Sequence, residues 1–177
     1  MTAFLDRYAR LLGLIGRGEL LLAQGCLATI VLCIFAQVIT RYGFDRPLAW
    51  VEELATYAFI WGTFVGASVA LKRGVHLKVE TVLARVPPRG RAAIHFATLL
   101  AMGILCLLLA ANGVKAMRLF EWRQRTIALP VELPRYLFFS GPLIVASVSM
   151  LLTIIHDLLA AATGRPAAPP ADGRPTA

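Results

Sequence analysis

Few residues in this chain of 177 could carry chemistry. Glu52 and Glu53 are its only adjacent carboxylates, and they stand just before an uncharged stretch, with Arg41 and Arg46 a short loop away. Carboxylates at membrane depth can mark an ion path. Carboxylates at a helix N-terminus also favour the positive end of the macrodipole. An ion path leaves several polar groups at mid-membrane depth, and the uncharged stretches described below offer no such set. Arg41, Glu52 and Glu53 are therefore expected to form a polar helix entrance, structural rather than catalytic. His76, His95 and His156 lie near the ends of apolar stretches and lack the paired spacing a haem would need. Cys26, Cys33 and Cys106 fall inside such stretches with no CxxC, which suits packing thiols. No H-E-x-x-H, G-x-S-x-G or phosphate-loop motif occurs. No enzyme activity, metal centre or cofactor is expected.

The elements that hold these residues are apolar. Hydrophobic residues make up 58% of the chain and mean hydropathy is +0.71, above the roughly half-apolar content of soluble domains. Charge-free runs at 20–40, 54–71, 92–114 and 136–156 account for the excess, and each is long enough for the ~18–20 residues of a spanning helix. No alternating barrel pattern appears. The expected fold is an all-α integral membrane protein with spans at about 20–40, 51–72, 92–115 and 136–158, paired as two antiparallel hairpins. Residues 19–163 form this membrane domain. Residues 1–18 place Tyr8, Leu11, Leu12 and Ile15 at helical spacing between arginines, a pattern suited to an amphipathic interfacial helix. Residues 75–86 repeat that rhythm, and the Pro/Ala-rich tail 164–177 is expected to be disordered.

The net charge of +8 does not indicate a nucleic-acid binder, because the basic residues cluster beside helix ends and no stacking aromatics interleave with them. Their distribution sets orientation instead. The N-terminus, residues 72–91 and the C-terminus hold eleven Lys/Arg against seven on the opposite side, which predicts both termini in the cytoplasm. Trp50, Trp122 and Tyr136 are expected interfacial anchors. Gly62, Gly66, Ala70 and Gly74 recur every four residues, so they line one face on which another membrane helix, in this chain or a partner, can approach closely. Gln24, Thr29 and Gln37 in the first span are expected to bond to neighbouring helices. Gly141-Pro142 predicts a kink or loosened turn at the start of the last span.

Arg41-Tyr42, Pro47-Leu48, Trp50, Glu52-Glu53-Leu54, Tyr57, Phe59-Ile60-Trp61, Gly66-Ala67 and Arg73-Gly74 with His76 together resemble the DctQ-like small membrane subunit of TRAP transporters. Thr126, Ala128-Leu129-Pro130, Tyr136 and Gly141-Pro142 extend the resemblance. Ala49 and Val51 replace small hydroxyl residues frequent in that family, and Glu80 replaces an Asp. The resemblance implies a non-catalytic inner-membrane subunit that buttresses a large DctM-like subunit, served by a periplasmic solute-binding protein, in ion-coupled uptake of carboxylate-type solutes. It also implies an elevator-type moving domain in the large subunit. The competing reading is a stand-alone homo-oligomeric exporter using Glu52 and Glu53. That reading requires a charge deep inside a span.

Overall fold

A computed structural model describes residues 2–73, 88–121, 125–126, 128–130 and 132–162. The described residues form four long helices: α1 (Thr2–Gly43), α2 (Ala49–Lys72), α3 (Pro88–Ala116) and α4 (Ser140–Ala162). A π-helical turn, Met117–Glu121, continues α3, and a 3₁₀ turn, Arg135–Leu137, precedes α4. All four are long and apolar enough to cross a bilayer. The chain is an all-α membrane protein, and large apolar side chains such as Leu21, Leu32, Phe35 and Leu107 stay exposed around it, as expected where lipid is the solvent. Residues 75–86, Gly74, His76, Trp122 and the tail 164–177 lie outside the described residues.

α1 is one unbroken helix of roughly 60 Å at 1.5 Å per residue. Residue 18, where an interfacial helix was expected to hand over to the first span, is not a break. α1 ends where the Arg46 N–H reaches back 3.0 Å to the Thr40 carbonyl, six residues earlier. Asp45 takes the left-handed conformation there, with φ 52°, which Asp tolerates better than most residues. Pro47-Leu48 then leads into α2, whose cap residue Leu48 supplies no side-chain hydrogen bond. This is the consequence of the apolar residues at 48, 49 and 51.

The hairpins α1/α2 and α3/α4 are joined chiefly by α2 against α4. Their core is built from Leu71, Leu99, Cys106 and Ile154. The hairpins are staggered along the bundle. Gly141, at the head of α4, lies beside Trp61, twelve residues and therefore about 18 Å along α2. Residues 125–139 flank the first half of α2 in place of a helix. At the other end α1 and α4 continue together past Lys72: the Tyr8 hydroxyl donates to the Leu152 carbonyl at 2.9 Å and its ring stacks on His156. The loosened start expected at Gly141-Pro142 is not seen: α4 is continuous α-helix from Ser140, and the 3₁₀ turn lies before it, at Arg135–Leu137.

Helix α3 packs closely on α4 at Gly113, where an added Cβ would lie 2.9 Å from Ile144 Cγ1. Gly113→Ala is expected to lower stability by about 1–3 kcal/mol through overpacking. Gly25→Ala, at an open position, is expected to be neutral or slightly stabilising. Thermal unfolding of both variants in detergent checks the contrast.

Candidate functional site

Two polar junctions tie the helices together. The first forms at the entrance of α2. Glu53 Oε2 accepts the backbone N–H groups of Ala128 and Leu129 at 2.6 and 2.8 Å, and Oε1 accepts the Tyr57 hydroxyl. The bonded segment is closed on itself. Thr126 N–H donates to the Leu133 carbonyl at 2.9 Å, and Leu133 N–H donates to Thr126 Oγ1 at 3.1 Å. One turn further along α2, Tyr57 stacks on Phe138 at 4.0 Å and meets Phe139 edge-on. Trp61 Nε1 donates to the Leu137 carbonyl at 3.1 Å. Glu53, Tyr57 and Trp61 are one helical turn apart each time, so a single face of α2 holds the whole 126–139 segment. Backbone amides without secondary-structure partners would be costly in lipid. Glu53 supplies the missing acceptors, in charge-assisted bonds roughly twice as strong as neutral ones.

The second junction lies at the far end of α2. Glu19 Oε2 accepts from Lys72 Nζ at 2.7 Å and from Ser68 Oγ at 3.0 Å. Glu19 Oε1 accepts from Ser149 Oγ, and Lys72 Nζ also donates to Ser149 Oγ at 2.7 Å. The Lys72 and Glu19 side chains are only 7% and 10% exposed. Three helices, α1, α2 and α4, thus share one neutral, hydrogen-bonded cluster. A cation could use the Glu19 carboxylate only by displacing the lysine. Among the described residues, no group of three His, Cys, Asp or Glu side chains is placed to hold a metal ion.

The structure divides the expected entrance group. Glu53 turns toward the 126–139 segment, while Glu52, about 100° around α2, is exposed and lines a cavity with Arg41. Neither Arg41 nor Arg46 pairs with Glu53. The small-residue face is divided too. An added Cβ at Gly62 would come within 3.2 Å of Cys26 on α1, whereas one at Gly66 would meet nothing within 4 Å. Only Gly62 serves packing inside the chain, and Gly66 and Ala70 border an open side with exposed Phe59 and Thr63. Trp50 is exposed at the α2 entrance, and Tyr136 is half-buried in the 3₁₀ turn. All three cysteines are free; Cys33 and Cys106 are buried and Cys26 half-buried. In the first span, Thr29 bonds to its own helix at the Gly25 carbonyl, Gln24 is exposed, and Gln37 Oε1 is buried without a partner.

Glu19, Ser68 and Ser149 were not legible as site residues. The signal available was positional. An acid one residue before the first span and a lysine ending the second must meet when two spans of similar length fold as an antiparallel hairpin.

Spanning helices whose buried charges neutralise one another define a multi-pass membrane protein in which polar groups join helix to helix. The family comparison gives this class its setting. Residues 30–164 match the family of tripartite ATP-independent periplasmic transporters, DctQ component, and the chain belongs to that family. It is a transporter component of the bacterial inner membrane, not an enzyme. A protein of Haemophilus influenzae named for a TRAP transporter small permease is 35% identical over 89 residues, covering 50% of this chain and 55% of that one. The C4-dicarboxylate TRAP transporter small permease protein DctQ of Vibrio cholerae is 35% identical over 85 residues, 46% of this chain and 37% of the relative. A sialic acid TRAP transporter permease protein, SiaT, of Haemophilus influenzae is 33% identical over 67 residues. Those residues are 36% of this chain but 11% of SiaT. The matched stretches span about half or less of these relatives' own lengths.

Removing one partner of the second junction leaves the other charge buried and unpaired. Glu19→Gln and Lys72→Gln are each expected to cost about 3–5 kcal/mol. The double variant is expected to cost at least about 1 kcal/mol less than the sum. Unfolding of the four proteins in one detergent measures the coupling.

Proposed function

We propose that this chain is the small, non-transporting subunit of a tripartite solute importer, a static support for a large membrane subunit that moves the solute. The observation that carries this reading is the use of the buried charges. Glu19 and Lys72 neutralise each other, and Glu53 is committed to the 126–139 segment. Such an arrangement holds helices in place and commits Glu19 and Glu53 to structural bonds, not to a coupling ion. The match to a short stretch of the much longer SiaT supports a large partner, since there a small-subunit-like segment occupies only part of a longer permease. The relatives' named solutes, C4-dicarboxylates and sialic acid, support a carboxylate-bearing solute delivered by a periplasmic binding protein. Both termini lie in the cytoplasm on this reading, by the distribution of basic residues. The paired ends of α1 and α4 beyond Lys72 widen the cytoplasmic footprint.

The large subunit docks on the open side of α2 at Gly66 and Ala70, where the missing side-chain volume admits another helix. Thr63 and Phe59 continue that side toward the α2 entrance. The stand-alone exporter reading is weaker, because neither Glu52 nor Glu53 lies deep in the span.

Reconstituted transporter tests this account at matched complex content. Gly66→Leu is expected to reduce assembled complex several-fold, with overpacking on the order of 1–3 kcal/mol. Glu53→Gln is expected to lower complex yield through loss of charge-assisted bonds worth about 1.5–3 kcal/mol each. The assembled remainder of Glu52→Gln and Glu53→Gln should retain wild-type sodium affinity and Hill coefficient. A change in either sodium parameter would assign these carboxylates to the ion path.

A further inference from the structure

The seam between α1 and α2, on the side of their connecting loop, contains polar groups that neither junction uses. Arg41 and Glu52 line one cavity of about 320 Å³, within the size range of small-ligand sites. Among the described residues, neither side chain forms a hydrogen bond or ion pair. Gln37 lines the same cavity, and its Oε1 is a buried acceptor with no donor. A buried amide oxygen left unmatched costs free energy; the cavity offers a cation and an anion, with the orphan acceptor Gln37 Oε1 covered beside it. Its remaining wall, including Ile34, Val38 and Ala55, is apolar. Further along the seam a second groove is lined by Leu27, Ile30, Phe59 and Gly62. By helical phase Phe59 and Gly62 fall on the same side of α2 as Ala55. Ile34 and Leu27 are seven residues, about 10 Å, apart along α1, so the two grooves follow one another at a spacing an acyl chain can span.

The level of the polar end within the bilayer is also marked. Tyr42, Phe44 and Trp50 are 79%, 70% and 41% exposed beside it, and aromatic residues of this kind collect at the headgroup level. A polar cavity at headgroup depth, opening into an apolar groove, has the form of a phospholipid. We propose that this seam binds one zwitterionic phospholipid of the phosphatidylethanolamine class, in the leaflet on the side of the α1–α2 loop. The Arg41 guanidinium takes the phosphate, in the geometry arginine favours for such groups. The primary ammonium donates to the Glu52 carboxylate, and to Gln37 Oε1 when the Gln37 side chain turns into the cavity. One acyl chain runs past Ile34 and Ala55 into the groove at Leu27 and Phe59. An anionic headgroup would leave Glu52 facing negative charge, and a quaternary ammonium has no N–H for either acceptor. The headgroup cavity does not include Gly66 or Ala70, although the acyl groove borders the proposed docking side of the large subunit at Phe59 and Thr63.

Native mass spectrometry of the full-length protein, purified in mild detergent with its co-purifying subunits, tests the assignment. The probes are dioleoyl phosphatidylethanolamine, phosphatidylglycerol and phosphatidylcholine, with glycerophosphoethanolamine as the chain-free headgroup. One phosphatidylethanolamine per chain should be retained at least about tenfold more tightly than either other lipid, as expected for charge-assisted hydrogen bonds. Glycerophosphoethanolamine should compete about a hundredfold more weakly, because it cannot fill the groove. Arg41→Gln and Glu52→Gln should each reduce the headgroup preference about fivefold or more. Ala55→Phe, which fills the cavity without touching a charge, should expel the lipid. Equal retention of the three lipids, as for an unselective lipid shell, overturns the proposal. So does efficient competition by the chain-free headgroup, or the absence of lipid because a protein subunit occupies the seam. Because lipid discrimination is read on the unmodified protein, the test holds even where a variant fails to fold.

Discussion

A lysine ammonium and a glutamate carboxylate 2.7 Å apart, at the point where three helices meet, constrain the rest of this bundle. Lipid gives helices no hydrophobic reason to prefer one another over acyl chains. Arrangement must come from close packing and from polar groups that have nowhere else to go. Glu19 on α1 and Lys72 at the end of α2 satisfy each other, and Ser149 on α4 bonds to both. Sliding α1 or α2 by a single turn would strand a buried charge, and sliding α4 would take the Ser149 hydroxyl away from both charges. The register of the first hairpin, and the depth at which α4 crosses it, follow from this condition.

The stagger of the second hairpin has a consequence at the opposite end. With α4 beginning beside Trp61, the first half of α2 would face lipid without a helical neighbour. The described residues of 126–139 lie there, and the Ala128 and Leu129 N–H groups and the Leu137 carbonyl find their partners on α2. Glu53, Tyr57 and Trp61 hold the segment from successive turns of α2. One end of α2 is thus held by a charge pair and the other by a carboxylate on backbone amides. A helix fixed at both ends suits the static role proposed for this chain.

The four spans were legible because charge-free runs of bilayer length are an unambiguous signal, and the two-hairpin pairing followed from loop length. The division of Glu52 from Glu53 was not legible. Adjacent residues on a helix point about 100° apart, and only the placement of 126–139 decides which carboxylate it engages. The stagger was equally hidden, since four runs of similar length suggest four helices at the same depth. Gly66 read as a packing residue because its spacing from Gly62 is right, yet α1 crosses α2 at Gly62 and leaves Gly66 uncovered. The Glu19–Lys72 pair was within reach of the sequence. It was overlooked because each residue stands just outside the charge-free runs, where a charge is read as a flank and not as a partner.

The central claim, that these junctions make one rigid frame, is tested most directly by distances within the assembled transporter. Spin labels at exposed Leu21 on α1 and exposed Ile155 on α4, with Cys26, Cys33 and Cys106 replaced, straddle the Glu19–Lys72–Ser149 junction. Electron–electron double resonance would compare the transporter without ligands to the transporter with sodium, solute and binding protein. A distance distribution unchanged to within about 2 Å is predicted, because packed interfaces switch between discrete arrangements and do not deform continuously. A shift of about one helical turn, roughly 5.4 Å, would contradict the account and make this subunit a moving part of transport.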